Sequence, residues 1–366
     1  MTEPQAAPAL KEIFDRAWLG HFARQTAAIA PGFDAERFLS LATDNLDALG
    51  IMQRLRQTAV SFQATLPPNY GAALEILDAL APHINHGFAS IVLSEFVALY
   101  GQDHFDLSMR ALHSFTRYGS GEFAIRHFLA RDFERTLAVM VNWADDDNEH
   151  VRRLASEGSR PRLPWSFNLK TLVSDPAPTA PILEALKSDS SLYVRKSVAN
   201  HLNDITKDNP ERVIERVGGW DMQNAHTAWI VKHALRTLIK KGDVDALRLI
   251  GSTGTPEVSV EHFAVTPARI RLGERIMLNA RIVSTANSKQ KLVIDYAVHY
   301  VKKAGTASKK VFKLKEIELA PAARTELNIS QVVRDFTTRK HHAGQHHVEL
   351  IVNGETLATS GFDLAL

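Results

Sequence analysis

The stretch Asn148–Trp165, NEHVRRLASEGSRPRLPW, decides how most of the chain is interpreted. Its first half predicts a helix with an exposed basic side, and Gly158 predicts where that helix ends. Its second half predicts a loop held in shape by two prolines. The stretch contains four arginines, one glutamate next to the glycine, and one tryptophan: Arg152, Arg153, Glu157, Arg160, Arg162 and Trp165. A fold alone does not require this combination. This combination of residues suits a site that binds a polyanion and places an electron-poor group against an aromatic ring.

The same pattern recurs along the chain. Val151-Arg152-Arg153 aligns with Val194-Arg195-Lys196, 43 residues later, and a weaker copy, Val231-Lys232-His233, follows after 37 more. Ile125-Arg126-His127 is similar but lies off this period. Periods near 40 are typical of HEAT-like helical repeats, whose stacking would line the basic pairs along one concave face. The alternative is that these pairs are ordinary solvated helix faces with local ion partners.

Two kinds of sequence follow one another. Up to about residue 250, apolar residues recur three and four apart between short Pro, Gly and Asp clusters, which predicts stacked antiparallel helix pairs. Later segments alternate apolar and polar residues, with a hairpin turn at Asn353-Gly354, and predict about seven strands. We therefore predict a mainly α fold, a HEAT-like helical-repeat solenoid in residues 1–254, followed by a small immunoglobulin-like β-sandwich in residues 255–366.

Composition narrows the class of protein. The chain of 366 residues has no cysteine, which excludes disulfides and Cys-ligated metal centres. Neither a signal peptide nor a membrane span is predicted, so the expected location is the cytoplasm. Residues 256–366 carry 16 Lys and Arg against 11 Asp and Glu, a net charge of +5. Their predicted loops 288–291, 302–310 and 337–347 are basic, and we expect this domain to contact a polyanion.

Two motifs carry a family resemblance. VRRLASEGSRPRLPW and YVRKSVANHLNDITKDNP resemble the motifs of the HEAT-like-repeat alkylpurine DNA glycosylases, and the appended sandwich makes the chain most similar to their AlkC branch. The resemblance implies excision of cationic N3-methylated bases, chiefly 3-methyladenine and also 3-methylcytosine. It implies catalytic roles for Glu122, Glu157, Trp165 and Asp204. Together with the repeated basic pairs, it gives these predicted DNA contacts: Arg152, Arg153, Arg160, Arg162, Arg195, Lys196, Lys232 and His233.

The residue types fit that chemistry on physical grounds. An N3-methylated base is positively charged and already a good leaving group, and bond breakage leaves an oxocarbenium-like sugar. Such a reaction needs negative charge and an aromatic face near the anomeric carbon, together with a group that orients water. It needs no metal and no other cofactor. No lyase lysine is indicated, so we expect a monofunctional enzyme that releases the free base and leaves an intact abasic strand. We also expect a monomer whose partner is double-stranded DNA containing alkylated bases.

Helix position gives each acid a plain alternative role. Glu157 precedes Gly158, read as a C′ glycine, and Asp204 lies near the end of a second helix, so both carboxylates face the negative end of a helix dipole. Arg153 and His201 are their predicted cationic partners, and surface ion pairs would explain both acids. Glu122 sits where a helix begins and could act as a capping residue. Trp165 could instead anchor the core.

Two competing functions remain open at this point. The first is a non-catalytic HEAT-repeat protein that binds damaged DNA. The second is a protein-binding HEAT scaffold without nucleic acid. Basic residues that recur in register argue against the scaffold. The helix-terminal acids and Trp165 favour an enzyme over a damage-binding protein.

Overall fold

A computed structural model describes residues 10–84, 86–252, 254–336 and 340–366. Residues 1–9, on which the absence of a signal peptide was partly judged, lie outside the described residues, as do residues 337–339 of one predicted basic loop. Among the described residues, no helix is long and apolar enough to cross a membrane.

The predicted change from helix to strand is confirmed. Within the described ranges, all the α-helices precede the first strand, with short 3-10 turns between some of them. The helices are α1 (Arg16–Ile29), α2 (Ala35–Ala42), α3 (Ile51–Thr65), α4 (Tyr70–Leu80), α5 (Ile91–Tyr100), α6 (Phe105–Phe115), α7 (Glu122–Arg131), α8 (Phe133–Trp143), α9 (Glu149–Gly158), α10 (Lys170–Ser174), α11 (Ala180–Ala185), α12 (Leu192–Ile205), α13 (Pro210–Gly218), α14 (Ala225–Ala234), α15 (Arg236–Lys240) and α16 (Val244–Leu249).

The repeat predicted from the sequence is visible in how α9 and α12 begin and pack. Asn148 caps α9 by accepting a hydrogen bond from a backbone N–H of the first turn, and Ser191, 43 residues later, caps α12 in the same way. Side-chain oxygens at this position satisfy N–H groups that have no partner inside the helix. Buried Val151 and Val194 follow at equivalent positions, and the two helices pack against each other. Successive α3, α5, α7, α9 and α12 pack in this way, as expected for a solenoid.

The C-terminal part is a two-sheet sandwich, as predicted, with eight strands among the described residues rather than about seven. The strands are β1 (Val258–Thr266), β2 (Arg269–Arg271), β3 (Arg275–Ser284), β4 (Gln290–Val301), β5 (Ala307–Leu319), β6 (Arg324–Val332), β7 (Gly344–Val352) and β8 (Glu355–Ala365). One sheet has the order β1-β3-β6 and the other β2-β8-β7-β4-β5. Alternate residues of β3, such as Ile276 and Leu278, are buried between the sheets with Tyr296, Val298 and Phe362. This is the two-residue period that the sequence showed.

The predicted hairpin turn at Asn353-Gly354 joins β7 to β8. Both residues have positive φ, 48° and 84°, which a two-residue hairpin loop requires and which Asn and Gly tolerate best. The buried Asn353 side chain also accepts a hydrogen bond from the backbone of Val293 at 2.8 Å.

The chain divides into two compact units. The first comprises the chain up to Asn209 together with Asp221–Ile230, and the second comprises Pro210–Trp220 and Val231–Leu366. The second unit therefore contains short helices as well as the sandwich. The domain border between residues 254 and 255 stays a prediction.

Candidate active site

Three carboxylates from three helices lie in one cluster of the first unit. Glu122 begins α7, Glu157 lies one residue before the end of α9, and Asp204 lies one residue before the end of α12. Their side chains are only 11%, 8% and 4% exposed. Two of them face the negative end of a helix dipole, and burial of a carboxylate costs further free energy. Carboxylates in such positions require cations close by.

Arg160 joins two of these acids. Its Nη1 donates to Oε1 of Glu157 at 2.6 Å, while Nε and Nη2 both lie 2.7 Å from Oδ2 of Asp204. The guanidinium is itself buried, so solvent screens these contacts little. Arg160 follows α9 by two residues, which lets one side chain reach acids from two successive repeats.

Arg153 joins the third acid to the cluster. Its Nη1 donates to Oε2 of Glu122 at 3.1 Å and to Oγ of Ser120 at 2.7 Å, and its Nη2 lies 3.6 Å from Oε1 of Glu157. The contact between Arg153 and Glu157 is the ion pair that their spacing of four residues predicted. Burial acts to lower the pKa of Arg153, but the carboxylates of Glu122 and Glu157 outweigh it and the net pKa is raised. Arg153 also lies over the ring of Tyr193, 5.0 Å from its centroid.

Two further donors complete the hydrogen bonds of the acids. Oγ of the buried Ser197 donates to Oε2 of Glu157 at 2.6 Å. Nζ of the half-exposed Lys207 donates to Oδ1 of Asp204 at 2.7 Å. With all groups ionised, the three acids, Arg153 and Arg160 carry a formal charge of −1. Lys207 reduces that charge from the solvent side of Asp204.

The interpretation of Gly158 as a C′ glycine, lying beyond the end of the helix, is wrong. Gly158 is the last residue of α9, and Ser159, with φ of −91°, is the cap. A Cβ atom at Gly158 would lie 2.4 Å from Cγ2 of Ile125 and 3.2 Å from Cε of Met140. Glycine is therefore needed for the close approach of α9 to α7 and α8, not for a turn.

The prediction that His201 is a cationic partner of Asp204 is also wrong. His201 is fully buried, and burial lowers its pKa to about 3, with Arg160 acting in the same direction. The imidazole is therefore neutral at physiological pH. The cations that contact Asp204 are Arg160 and Lys207.

Trp165 lies on the loop between α9 and α10 and is 62% exposed. Its φ is +67°, a left-handed conformation that is strained for a bulky residue. The indole ring lies nearly perpendicular to the ring of Phe88, with centroids 6.2 Å apart. The alternative role of core anchor does not fit this exposure. Strain combined with exposure of a large aromatic ring is typical of functional positions.

Comparison with known proteins points to one family. Residues 114–238 match the family described as DNA alkylation repair enzyme, and residues 259–366 match the C-terminal Ig-like domain of YhaZ. The chain is 41% identical to the uncharacterised protein YhaZ of Bacillus subtilis over 97% of this chain and 99% of that one. It is 55% identical, with a TM-score of 0.95, to Pseudomonas fluorescens alkylpurine DNA glycosylase AlkC bound to DNA containing an abasic site analogue, over 98% and 100% of the two chains.

The chain belongs to the AlkC branch of the HEAT-like-repeat alkylpurine DNA glycosylases. It is a DNA alkylation repair enzyme, which decides between the enzyme and the non-catalytic alternative. The family match spans α7, α9 and α12, the helices that supply the three carboxylates.

The other predicted DNA-contact residues of the glycosylase occupy different surroundings. Nε of Arg152 donates to Asp189 at 2.7 Å and Nε of Arg162 donates to Asp208 at 2.8 Å. The remaining four are Arg195, Lys196, Lys232 and His233. Arg195 donates to two backbone carbonyls, Lys232 pairs with Glu316 at 2.6 Å, the carbonyl of His233 accepts from Arg236, and Lys196 is exposed. Within the described residues, Lys196 alone among the predicted arginine and lysine contacts has neither a hydrogen bond nor an ion pair.

Several residues around the acids of the glycosylase were not predicted. Tyr193 presents a ring that is 38% exposed beside Arg153, and Ser197 and Lys207 hold acid oxygens. A signal for Tyr193 was available, because it is a large aromatic residue in the first turn of a helix that carries a basic motif. Serine and lysine at helical spacing gave no comparable signal.

Proposed function

We propose that this glycosylase excises cationic N3-alkylated bases, 3-methyladenine and 3-methylcytosine, from double-stranded DNA by hydrolysis of the glycosidic bond. One observation carries the proposal: three carboxylates from the three helices α7, α9 and α12 are buried around two guanidinium groups. A complex of the similar AlkC protein with DNA containing an abasic site analogue supports DNA as the partner.

The proposed chemistry follows from charge. The methylated base leaves as a neutral molecule, so its departure requires no proton from the enzyme. Positive charge instead develops on the sugar, and fixed carboxylates in a poorly hydrated site stabilise it. We assign this stabilisation to Glu157 and Asp204, whose orientation Arg160 fixes from one side. One of the two acids also orients the attacking water and accepts the proton that this water loses when it bonds to the sugar.

Glu122 and Arg153 have a supporting role in this proposal. Arg153 contacts Ser120, Glu122 and Glu157, and therefore connects the start of α7 to the end of α9. Glu122 keeps Arg153 from neutralising Glu157 fully, because the cation is shared between two carboxylates. This sharing preserves negative charge for a cationic substrate.

Trp165 supplies the aromatic face in this proposal. Its ring is exposed without any need for rearrangement, and an aromatic face attracts a cationic base by about 0.5–2 kcal/mol depending on desolvation. The strained backbone at Trp165 argues that this exposure is maintained at a cost.

DNA backbone contacts are proposed for the exposed Lys196 and for the sandwich. Residues of two predicted basic segments, 302–310 and 337–347, line one cavity of about 440 Å³ in the second unit, although Lys309 and Lys310 lie in strand β5 rather than in a loop. Its lining includes Lys302, Lys309, Lys310, Lys340 and His342. Such a group of cations suits phosphate contacts and the release of counterions. The product is proposed to be a free base and an intact abasic strand, formed by a monomeric enzyme.

The test is base release from methylated duplex DNA by wild type and Glu157→Gln, with the freed bases identified by chromatography. We expect wild type to release 3-methyladenine and 3-methylcytosine and Glu157→Gln to release them about 10²–10³-fold more slowly. Denaturing electrophoresis of the same samples should show uncut strands until alkali is added. Glu134→Gln, an exposed acid in the first turn of α8, is the matched control and should act like wild type.

Two results would contradict the proposal. If wild type released only alkylated bases that carry no charge while they are attached to the DNA, the assigned substrate class would be ruled out. Equal rates for Glu157→Gln and Glu134→Gln would remove the carboxylate cluster from the mechanism.

A further inference from the structure

Arg126 on α7 is a buried charge outside the carboxylate cluster. Its side chain is fully buried, and three backbone carbonyls accept its hydrogen bonds. Nη1 donates to the carbonyls of Gly158 at 3.1 Å and Arg160 at 2.6 Å, and Nη2 donates to the carbonyl of Phe167 at 2.5 Å. A buried arginine is costly, so its retention in place of an apolar side chain requires a reason.

The acceptors of Arg126 lie at the two ends of one loop. Gly158 and Arg160 stand at its beginning and Phe167 near its end, so a single guanidinium closes the segment that contains Trp165. Two prolines in this loop have no N–H group to donate. Few backbone hydrogen bonds stabilise the loop, and one of these bonds is donated by the N–H of Leu169 to the carbonyl of Pro161 at 3.0 Å. The shape of the loop therefore depends strongly on a side chain of another helix.

The charge of Arg126 is also coupled to the acids. Burial lowers the pKa of Arg126 to about 10, and Arg160 acts in the same direction, whereas Asp204 and Glu157 oppose it. The group stays protonated at neutral pH. Arg126 and Arg160 repel each other, and the carboxylates that Arg160 contacts offset this repulsion. Loop shape and acid placement are thus linked through these two arginines.

We propose that Arg126 is a positioning residue for excision. It fixes the loop from Gly158 to Phe167 so that Arg160 lies between Glu157 and Asp204 while Trp165 remains exposed in its strained conformation. This inference rests on the proposed function, because it assigns the loop its importance from the roles of Glu157 and Trp165.

The primary test is Arg126→Lys, which keeps the positive charge but loses the planar fork that reaches three carbonyls. We expect single-turnover excision to fall by about 10²-fold, the loss that a small misplacement of catalytic groups can cause. Exposure of Trp165 is measured as the acrylamide quenching that disappears on Trp165→Phe substitution. We expect this quenching to change in Arg126→Lys even without substrate.

Arg54 on α3 provides a matched control. It is also buried, and it donates to backbone carbonyls of Leu46, Leu49, Lys11 and Phe14, remote in sequence from the proposed site. Arg54→Lys should lose a comparable amount of thermal stability. Below its unfolding temperature, it should retain wild-type excision and wild-type quenching of Trp165.

Three outcomes would overturn the inference. Arg126→Lys could excise at the wild-type rate, or lose no more activity than Arg54→Lys. It could fail to fold where Arg54→Lys folds, which would make Arg126 a residue of the fold alone. If wild type itself released no base, the proposed function would fail, while the quenching comparison would still report whether Arg126 holds the loop.

Discussion

The helices α9 and α12 repeat one pattern with a spacing of 43 residues, but they use it differently. Arg152 and Arg195 are equivalent, and each donates to two carbonyls of the loop before its own helix. At the next position, Arg153 is half-buried among carboxylates whereas Lys196 is exposed. What repeats in register maintains the scaffold, and what differs between the copies builds the site.

The acids follow the same rule. Glu157 corresponds to Asn200 in the second copy, and Asp204 corresponds to Pro161 in the first. Neither carboxylate is therefore part of the repeated scaffold. They meet because each lies near the C-terminal end of its helix and because Arg160, beyond the first helix, reaches both.

The largest expected effect comes from removing both unrepeated acids. Glu157→Gln and Asp204→Asn should each slow excision by about 10²–10³-fold. Because both acids contact Arg160, the double variant should lose much less than the product of the two single losses. Single-turnover rates of the four proteins on methylated duplex DNA give this comparison.

Affinity for DNA that contains an abasic site serves as the control for these acid variants. It should stay within a few-fold of wild type, since the amides keep the size of the side chains. Parallel loss of affinity and rate would mean that the acids shape the DNA-binding surface rather than stabilise the transition state. Strictly multiplicative losses would contradict their coupling through Arg160.

The second prediction concerns the repeated arginines. Arg152→Ala and Arg195→Ala should lower the free energy of unfolding by about 1.5–3 kcal/mol, the usual contribution of hydrogen bonds from a charged donor. The loss should be larger for Arg152, which also binds both carboxylate oxygens of Asp189. Urea unfolding measures stability, and excision below the transition should remain near wild type. A loss of excision without a loss of stability would show that these arginines act in the candidate active site.

The third prediction tests the close approach at Gly158. Gly158→Ala should destabilise the protein by about 1–3 kcal/mol, because the added Cβ would overlap Ile125. Ile125→Ala removes the overlapping methyl group, so the double variant should be more stable than the sum of the single losses predicts. Additive losses would show that the contact with Ile125 is not the reason for glycine. The equivalent position of α12 holds His201. That position therefore accommodates a side chain, and the need for glycine is specific to α9.

Much of this organisation could be predicted from the sequence, because periodicity is a direct consequence of helix and strand geometry. The repeat, the change to strands and the turn at Asn353 were all available from spacing. The grouping of Glu122, Glu157 and Asp204 was not, since contacts between helices depend on packing. Only the family resemblance brought these three residues together before the structure did.

Local partners of Arg152 and Arg195 were left open as an alternative, and the sequence contained a further signal for them. Asp146 and Asp189 recur with the same spacing of 43 residues, and each accepts a hydrogen bond from a backbone N–H two residues later. The repeated aspartate marks a repeated turn, and the backbone carbonyl of that aspartate accepts a hydrogen bond from the arginine six residues later. The basic residues alone suggested contact with a polyanion. A sequence shows the charge of a side chain but not whether its partner lies within the protein or on a ligand.

The smallest expected effect belongs to Lys196, the unburied counterpart of Arg153. Lys196→Ala should weaken DNA binding a few-fold and reduce the slope of log affinity against log salt concentration by about 1, as expected for the loss of one phosphate contact. Single-turnover excision at saturating enzyme should not change. Lys187→Ala, a half-exposed lysine that pairs with Glu184, is the control and should leave the slope unchanged. If Lys196→Ala keeps the wild-type slope but lowers the excision rate, Lys196 acts on the reacting groups as Arg153 does, and the contrast between the two copies disappears at this position.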